Sequence, residues 1–402
     1  MAGIIVIGAG QAGSSLVVRL RSLGFEGKVT LIGAEPVPPY QRPPLSKKYM
    51  LGEMDVERLF LRPEAFYADQ NIDLRLGVLV TGIDRDAKTV TLNSGEVLQY
   101  DKLALTTGSD PIPLPASIGG GLDNVYTVRT LKDADAMAAH FTKGKRALIV
   151  GGGYIGLEAA AVAAMRGVNV TIVEMADRIL QRVAAPQTSD YFRTLHTGRG
   201  VDVREGVGLD SLKGHKGRVT LAVLSDGTQL GIDFAVVGIG IRPAIGLADF
   251  ADLSIENGIK VNGFGQTSDP SIYAAGDCTS FPYKDGRIRL ESVPNAIDQA
   301  EATAAAMLGE TKEYIAKPWF WSDQYDVKLQ IAGLNTGYDT VVNRAFGAAT
   351  SFWYYKGDQL LAVDALNDPR AYMVGKRLIE AGKSPDPSLV ADTTIDLKIL
   401  LA

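Results

Sequence analysis

The chain has 402 residues, with 41 Lys+Arg against 46 Asp+Glu, 44 Gly, 18 Pro and a single cysteine, Cys278. That length allows two to four domains, and 46% hydrophobic with 22% charged residues describes an ordinary globular protein rather than a disordered or fibrous one. A net charge of −5 argues against a general nucleic-acid binder, and one thiol excludes an intramolecular disulfide, a Cys-x-x-Cys redox pair and a thiolate metal cage, so no metal is expected.

The start, Met1-Ala2-Gly3, lacks the basic region and long apolar stretch of a secretory signal, and no segment approaches a membrane span. A cytoplasmic protein is expected. Ile4-Ile5-Val6-Ile7 predicts a strand, Gly8-Ala9-Gly10-Gln11-Ala12-Gly13 a glycine turn, and Leu16, Val17, Leu20 and Leu23 follow at helical spacing. Val29-Thr30-Leu31-Ile32 predicts a second strand and completes a strand–helix–strand unit closed by Glu35. Asp110-Pro111-Ile112-Pro113-Leu114-Pro115 continues neither a helix nor a central strand and marks a crossing between domains. The first pattern then recurs. Ala147–Val150 leads into Gly151-Gly152-Gly153-Tyr154-Ile155-Gly156, an alanine-rich helix runs from Leu157 to Met165, and Val170–Val173 ends at Glu174. Val236-Val237-Gly238-Ile239-Gly240 predicts a strand and turn closing this second unit. From Pro318 onward all three tryptophans appear, Trp319, Trp321 and Trp353, and alternation at 328–331 and 351–355 predicts antiparallel strands.

In each glycine turn the residue types have separate tasks. Gly8 permits the tight turn, Gly10 lets a pyrophosphate approach the backbone, and Gly13 allows close helix–strand packing; Gly151, Gly153 and Gly156 repeat the set. A helix N-terminus offers free N–H groups and a positive dipole end to phosphates. An acid after the second strand accepts ribose hydroxyl hydrogen bonds, which suits Glu35 and Glu174. Glu174 would repel a 2′-phosphate and so favours NADH over NADPH, while Arg178 reads as a surface arginine on the following turn. Two such sites, with no metal site and no nucleophile–base pair, suggest electron traffic between a flavin and a nicotinamide.

Further segments carry a more specific match: Pro43-Pro44-Leu45-Ser46-Lys47, Thr106-Thr107-Gly108, Val128-Arg129-Thr130-Leu131, Gly151–Glu158, Thr267–Asp277, Glu291–Ala296 and Pro318–Gln324. With them the chain resembles, over essentially its whole length, the FAD-dependent, NADH-using ferredoxin reductases of bacterial cytochrome P450 and ring-hydroxylating oxygenase systems, the putidaredoxin reductase type. The resemblance implies that Ala12 lies against the FAD pyrophosphate and that Lys47 sits beside the flavin ring, paired with Glu158. It implies further that Val80 meets the adenine side, Arg129 the isoalloxazine or ribityl region, Asp277 the ribityl chain and the Val293 amide the pyrimidine edge. Tyr154 would lie over the flavin and swing aside for nicotinamide, and Trp321 would stand between flavin and partner. Arg42, Thr107, Gly108, Ile155, Gly240 and Gly276 join the cofactor-lining set. By residue type alone, Lys47 and Glu158 read equally as surface residues, Tyr154 as a packing aromatic, Val80 and Val293 as core, Asp277 as a helix N-cap, and Trp319-Phe320-Trp321 as domain core. Where many relatives carry Asp after the second strand's glycine, this chain has Ala34, so the ribose contact is expected from Glu35. Thr106 replaces a usual alanine. His140, His196 and His215 fall outside every motif.

The resulting expectation is an α/β chain with two Rossmann-like dinucleotide-binding domains, residues 1–110 with 241–317 for FAD and 111–240 for NADH, and a C-terminal α+β domain with an antiparallel sheet at 318–402. It would be an NADH-dependent ferredoxin reductase, monomeric or weakly dimeric, passing electrons singly to a [2Fe–2S] ferredoxin. A rubredoxin reductase and a signalling flavoprotein of the apoptosis-inducing-factor type are the alternatives. Ferredoxins of this kind are acidic, yet residues 317–402 hold nine Lys+Arg against ten Asp+Glu. Arg62 matches a partner-facing arginine of the family and reads equally as a solubilising charge.

Overall fold

A computed structural model describes residues 3–401; the Met1-Ala2 start discussed above lies outside the described residues. The chain divides into two compact units, residues 1–41, 55–110 and 241–318 in the first and 42–54, 111–240 and 319–402 in the second. Residues 42–54, which the sequence grouped with the FAD domain, thus cluster with the second unit.

In the first unit, Gly3–Ile7 is buried at every position, as a strand covered on both faces requires. It pairs in parallel with Val29–Gly33 and with the end of Val97–Leu105. Ile72–Leu76 and Ile272–Ala274 extend the parallel sheet at either side. Val80–Asp84 and Thr89–Leu92 continue it as an antiparallel ribbon through the early part of 97–105. Helix Gln11–Ser22 buries Leu16, Val17 and Leu20 in one core with Ala296, Ala300 and Ala304 of helix Val293–Met307. Alanines on the second helix let the two backbones come close, and Pro294 in its first turn costs no hydrogen bond because that N–H has no partner inside the helix.

In the second unit, five parallel strands run in the order 202–205, 169–174, 146–150, 234–237 and 125–127. Helix Tyr154–Met165 buries Gly156 through Ala163 continuously, the pattern of a helix that is hydrophobic all round. An antiparallel ribbon, 209–215, 218–224 and 229–231, adds a layer whose Leu212, Val219, Ala222 and Leu224 share one core with Leu148, Val150, Val173 and Ala235 of the parallel sheet. The predicted strands at 328–331 and 351–355 are the middles of Val327–Gly333 and Ala349–Lys356, within a five-stranded antiparallel sheet ordered 319–324, 327–333, 359–366, 349–356, 340–346. Helix Pro369–Glu380 packs on that sheet. It opens on Asp368, whose side chain accepts from the Ala371 N–H, and at Gly375 a Cβ would meet Val363 Cγ2 at 2.6 Å, so only glycine permits the approach. The expected α/β class with a C-terminal antiparallel sheet is therefore present. Among the described residues, no helix is long and apolar enough to cross a membrane, and no His/Cys/Asp/Glu cluster suits a metal.

Candidate active site

The first glycine turn is built by backbone requirements. Gly8 has φ +112°, a left-handed conformation, and a Cβ on Gly13 would sit 2.0 Å from the Gly8 carbonyl oxygen. Around a Cβ on Gly10, by contrast, nothing lies within 4 Å. Gly10 is also the N-cap of helix Gln11–Ser22, which has no side-chain cap and no acid in its first turn, leaving its N–H groups and dipole end to a ligand. Thr106 braces this turn: its Oγ1 donates to the Gly8 carbonyl at 2.8 Å and to the Ile7 carbonyl at 3.1 Å.

Other first-unit residues surround the same sheet ends. Glu35 accepts from Tyr40 OH at 2.7 Å, Thr107 Oγ1 donates to the Ala244 carbonyl at 2.6 Å, and Gly108 has φ +72°. Asp277 is not a helix N-cap, because no helix starts there. It lies in a turn after strand Ile272–Ala274, where Ser109 Oγ donates to its Oδ2 at 3.2 Å. Gly276, at φ +85°, donates its N–H to Gln299 Oε1 at 2.8 Å, and a Cβ there would touch Ala12 Cβ at 3.0 Å. Val293 opens its helix half-buried, with its amide in the unbonded first turn. The Val80 side chain is packed into the core beside Leu92 and Val90, as its residue type alone suggests, and its backbone lies at the start of strand Val80–Asp84.

The second unit repeats the turn almost atom for atom. Gly151 has φ +105°, a Cβ on Gly156 would lie 2.1 Å from the Gly151 carbonyl oxygen, and Gly153, the N-cap of helix Tyr154–Met165, is again open. Glu174 at the second strand's end is tied back to the turn, its Oε2 accepting from the Gly152 N–H at 2.7 Å and its Oε1 from the Ala176 N–H at 2.8 Å. Arg178 is not a free surface arginine. It is half-buried, with Nη1 donating to Ser189 Oγ at 2.5 Å and Nη2 to the Gln181 carbonyl at 3.4 Å. Ile155 stands 42% exposed at the helix start, and Gly240 has φ +122°.

Within the same unit, a one-turn 3₁₀ helix at Pro43–Ser46 aims Lys47, whose N–H bonds back to the Pro44 carbonyl at 3.0 Å. Lys47 Nζ lies 3.0 Å from Glu158 Oε1 and 3.9 Å from Asp323 Oδ2, with side-chain exposures of 13% for Lys47 and 7% for Glu158. These two are not surface residues. Glu158 also accepts from Ser322 Oγ at 2.7 Å and Ser46 Oγ at 3.2 Å. Burial pushes its carboxyl above the ordinary range, while Lys47, Ser322 and Ser46 pull it back. Arg42 Nη1 donates to the Arg129 carbonyl at 2.6 Å, joining two more of the sequence candidates. Tyr154 packs on Phe320, with ring centroids 5.1 Å apart, and Phe320 adjoins Trp321 at 6.4 Å. The Tyr154 hydroxyl is shielded from solvent without a hydrogen-bond partner, and burial raises its pKa well above the ordinary phenol value. Trp319, Phe320 and Trp321 are each half-buried on the sheet's first strand; Trp319 packs against the C-terminal core, which supports the domain-core reading there, while Phe320 faces Tyr154.

Residues 2–300 match the pyridine nucleotide-disulphide oxidoreductase family and residues 319–401 the reductase C-terminal family. Putidaredoxin reductase of Pseudomonas putida is 40% identical over 407 residues, covering 99% of this chain and 96% of that protein. The chain belongs to the putidaredoxin reductase-like ferredoxin reductases. Rhodocoxin reductase of Rhodococcus erythropolis is 41% identical over 403 residues, covering 99% and 94% of the two chains. The crystal structure of the covalent putidaredoxin reductase–putidaredoxin complex superposes with a TM-score of 0.96 at 40% identity, covering 100% of this chain and 98% of that one.

This reductase is an oxidoreductase of a family whose cofactors are FAD and NAD(H). Its residues fit both groups: each glycine turn keeps an unfilled cradle at its middle glycine and an uncapped helix N-terminus, the chemistry a dinucleotide pyrophosphate needs. Despite the family's name, a dithiol route is closed, since Cys278 is the sole cysteine and is fully buried, which pushes its thiol pKa up. Sequence reasoning missed Ser46, Ser322, Asp323 and Phe320 as neighbours of the Lys47–Glu158 pair and Tyr154. All four lie inside the segments quoted for the resemblance, which was the available signal.

Proposed function

We propose that the reductase takes hydride from NADH and passes electrons one at a time to a [2Fe–2S] ferredoxin that feeds a cytochrome P450 or another oxygenase. The observation that carries this reading is the conjunction of two open dinucleotide turns with a single buried thiol: electrons entering from a nicotinamide have no internal dithiol to receive them. FAD, when bound, supplies the conversion between a two-electron hydride donor and a one-electron acceptor. We assign FAD to residues 1–110 with 241–317, NADH to 111–240 and the partner side to 318–402.

In this reading Gly8, Gly10, Ala12 and Gly13 bind the FAD pyrophosphate, Glu35 holds the ribose, and Thr107, Gly108, Gly276, Asp277, the Val293 amide and the Val80 backbone orient the rest. Gly151, Gly153, Ile155 and Gly156 bind NADH, with Gly240 allowing close approach. Glu174 selects a free 2′-hydroxyl, and the hydrogen bonds that occupy Arg178 support the choice, because that arginine is engaged elsewhere. Lys47 holds a positive charge for the reduced ring and Glu158 holds Lys47 in place. Arg42 and Arg129 add fixed donors. Tyr154 and Phe320 exclude water from the nicotinamide face, and Trp321, half-exposed, is the exit toward the partner. Arg62, exposed over the Phe66 ring, contributes local positive charge for an acidic ferredoxin. The reductase acts in the cytoplasm as a monomer or weak dimer.

Anaerobic titration of the purified protein with NADH and with NADPH, followed by addition of candidate ferredoxins, tests the reading. Flavin bleaching by NADH and subsequent ferredoxin reduction are expected. A colourless protein, or faster bleaching by NADPH, would overturn the cofactor assignment or the role of Glu174.

A further inference from the structure

Helix Pro186–Gly198 buries a histidine, His196, with no exposed surface at all, and the proposed chemistry has no use for it as a base. Its ring nonetheless belongs to a continuous hydrogen-bonded line that reaches the Lys47–Glu158 pair. Ser322 Oγ lies 2.7 Å from Glu158 Oε1, Gln324 Nε2 lies 3.2 Å from Ser322 Oγ, and His196 Nε2 lies 2.8 Å from Gln324 Oε1. Tyr325 OH closes the line at 3.3 Å from His196 Nδ1. Ser322, Gln324 and His196 are fully buried, and each finds a partner within the line.

The direction of every bond follows from one end. An ionised carboxylate only accepts, so Ser322 must donate to Glu158, and its oxygen then accepts from the Gln324 amide N–H. That turns the Gln324 oxygen toward His196, which must present an N–H at Nε2. The remaining nitrogen, Nδ1, accepts from Tyr325. Four donors thus point the same way, and they end on the carboxylate oxygen that faces Lys47 Nζ. The other titratable or charged groups around the His196 helix are arranged in their own pairs: Arg199 with Asp326, beside the Tyr325 ring, and Arg193 with Asp190 and Glu205. Burial lowers the imidazole's pKa, which keeps the ring neutral with a single ring proton, the state the line requires.

We propose that His196 is a positioning residue for the Lys47–Glu158 pair, acting through Gln324 and Ser322 to fix the donor direction that holds Glu158 Oε1 as an acceptor toward Lys47. Its consequence for electron transfer rests on the function proposed above; its effect on Glu158 does not.

The test uses the full-length, FAD-loaded protein with carboxyl-¹³C glutamate, the Glu158 resonance being identified by its loss in Glu158→Gln. His196→Phe should raise the Glu158 titration midpoint by roughly half a unit to one unit, in the same direction as Ser322→Ala, because each removes donor support for the ionised form. The double variant should move it no further than Ser322→Ala alone, since both act on one line. His196→Gln, whose amide N–H reaches about as far as Nε2, should restore the wild-type midpoint, and Tyr325→Phe should give a smaller shift than His196→Phe. A Glu158 midpoint unchanged in His196→Phe, or shifts that simply add in the double variant, would overturn the proposal. If the midpoint moves as expected while NADH bleaches the flavin at the wild-type rate, the positioning role stands and the placement of the pair at the flavin fails instead.

Discussion

Replacing Glu158 by glutamine separates what the carboxylate contributes to function from what it costs the fold. Lys47 Nζ at 3.0 Å attracts the carboxylate with roughly 5 kcal/mol at an effective dielectric of ~20, and two serine hydroxyls support it. Desolvating a carboxylate costs several kcal/mol on its own, and here burial is the larger influence, since the pKa ends above its ordinary 4.5. The sign follows directly. A carboxyl whose folded pKa is raised contributes fully below its unfolded value and loses that contribution as pH rises through the folded one. At pH 7 the charge is therefore held against stability. Glu158→Gln, which mimics the protonated acid, should leave stability unchanged or raise it at pH 7. The expected reading is a Tm equal to or above that of the unsubstituted protein at pH 7, with no difference near pH 4. Glu158→Ala, which strips Lys47 of its partner and leaves a cavity, should instead lose about 3–5 kcal/mol, or ~6–10 °C. Calorimetry at pH 4 and 7, paired with stopped-flow reduction by NADH, reads both effects, and flavin reduction should slow in both variants. A glutamine variant that melts as low as the alanine variant at pH 7 would refute the reasoning, since it would make the ion pair a net stabiliser.

Asp364, buried with Tyr354 and Thr188 and pushed up to about 6 from 3.8, should make stability fall by about 3 kcal/mol as pH rises from ~4 to ~6.5; Asp364→Asn should flatten that slope in a Tm-against-pH series. Gly10→Val should fold with near-normal Tm yet purify with little FAD, whereas Gly13→Val should fail to fold, because only the second side chain meets a carbonyl oxygen. Measured by flavin absorbance per protein and by circular dichroism, equal outcomes for the two would contradict this division. Glu174→Ala should raise KM for NADH about tenfold while bound FAD stays at one per chain, consistent with the loss of ~1–2 kcal/mol of hydrogen bonding; loss of FAD instead would mean the two nucleotide sites are exchanged. Trp321→Ala should leave NADH-driven bleaching intact and slow ferredoxin reduction at least several-fold in a coupled assay.

Legibility followed the range of the interactions. Both glycine turns could be read because their requirements are local: a positive φ at Gly8 and Gly151, and a close carbonyl at Gly13 and Gly156, all within six residues of each other. Lys47 and Glu158 lie far apart in the chain, and only the resemblance brought them together. The Ser322–Gln324–His196 line was invisible for the same reason, since it joins a strand to a helix that shares no motif with it. Asp277 misled in another way. An aspartate after Gly276 suits a helix cap by type, but the chain there turns into strand Thr279–Tyr283 instead. For Val80, the apolar residue type already described a side chain that packs into the core.

Helix Tyr154–Met165 starts at the open glycine of the second dinucleotide turn, carries Tyr154 at its first position and Glu158 one turn later, and is buried along most of its length. Those three features share one rigid rod. A displacement of the rod's tip by a fraction of an ångström moves Glu158 and the Tyr154 ring with it, through covalent geometry and without any intervening pathway of side chains. If a dinucleotide seats at the tip as proposed, its seating and the charge placement one turn down are coupled, and a substitution that alters the seating of the rod is expected to change both.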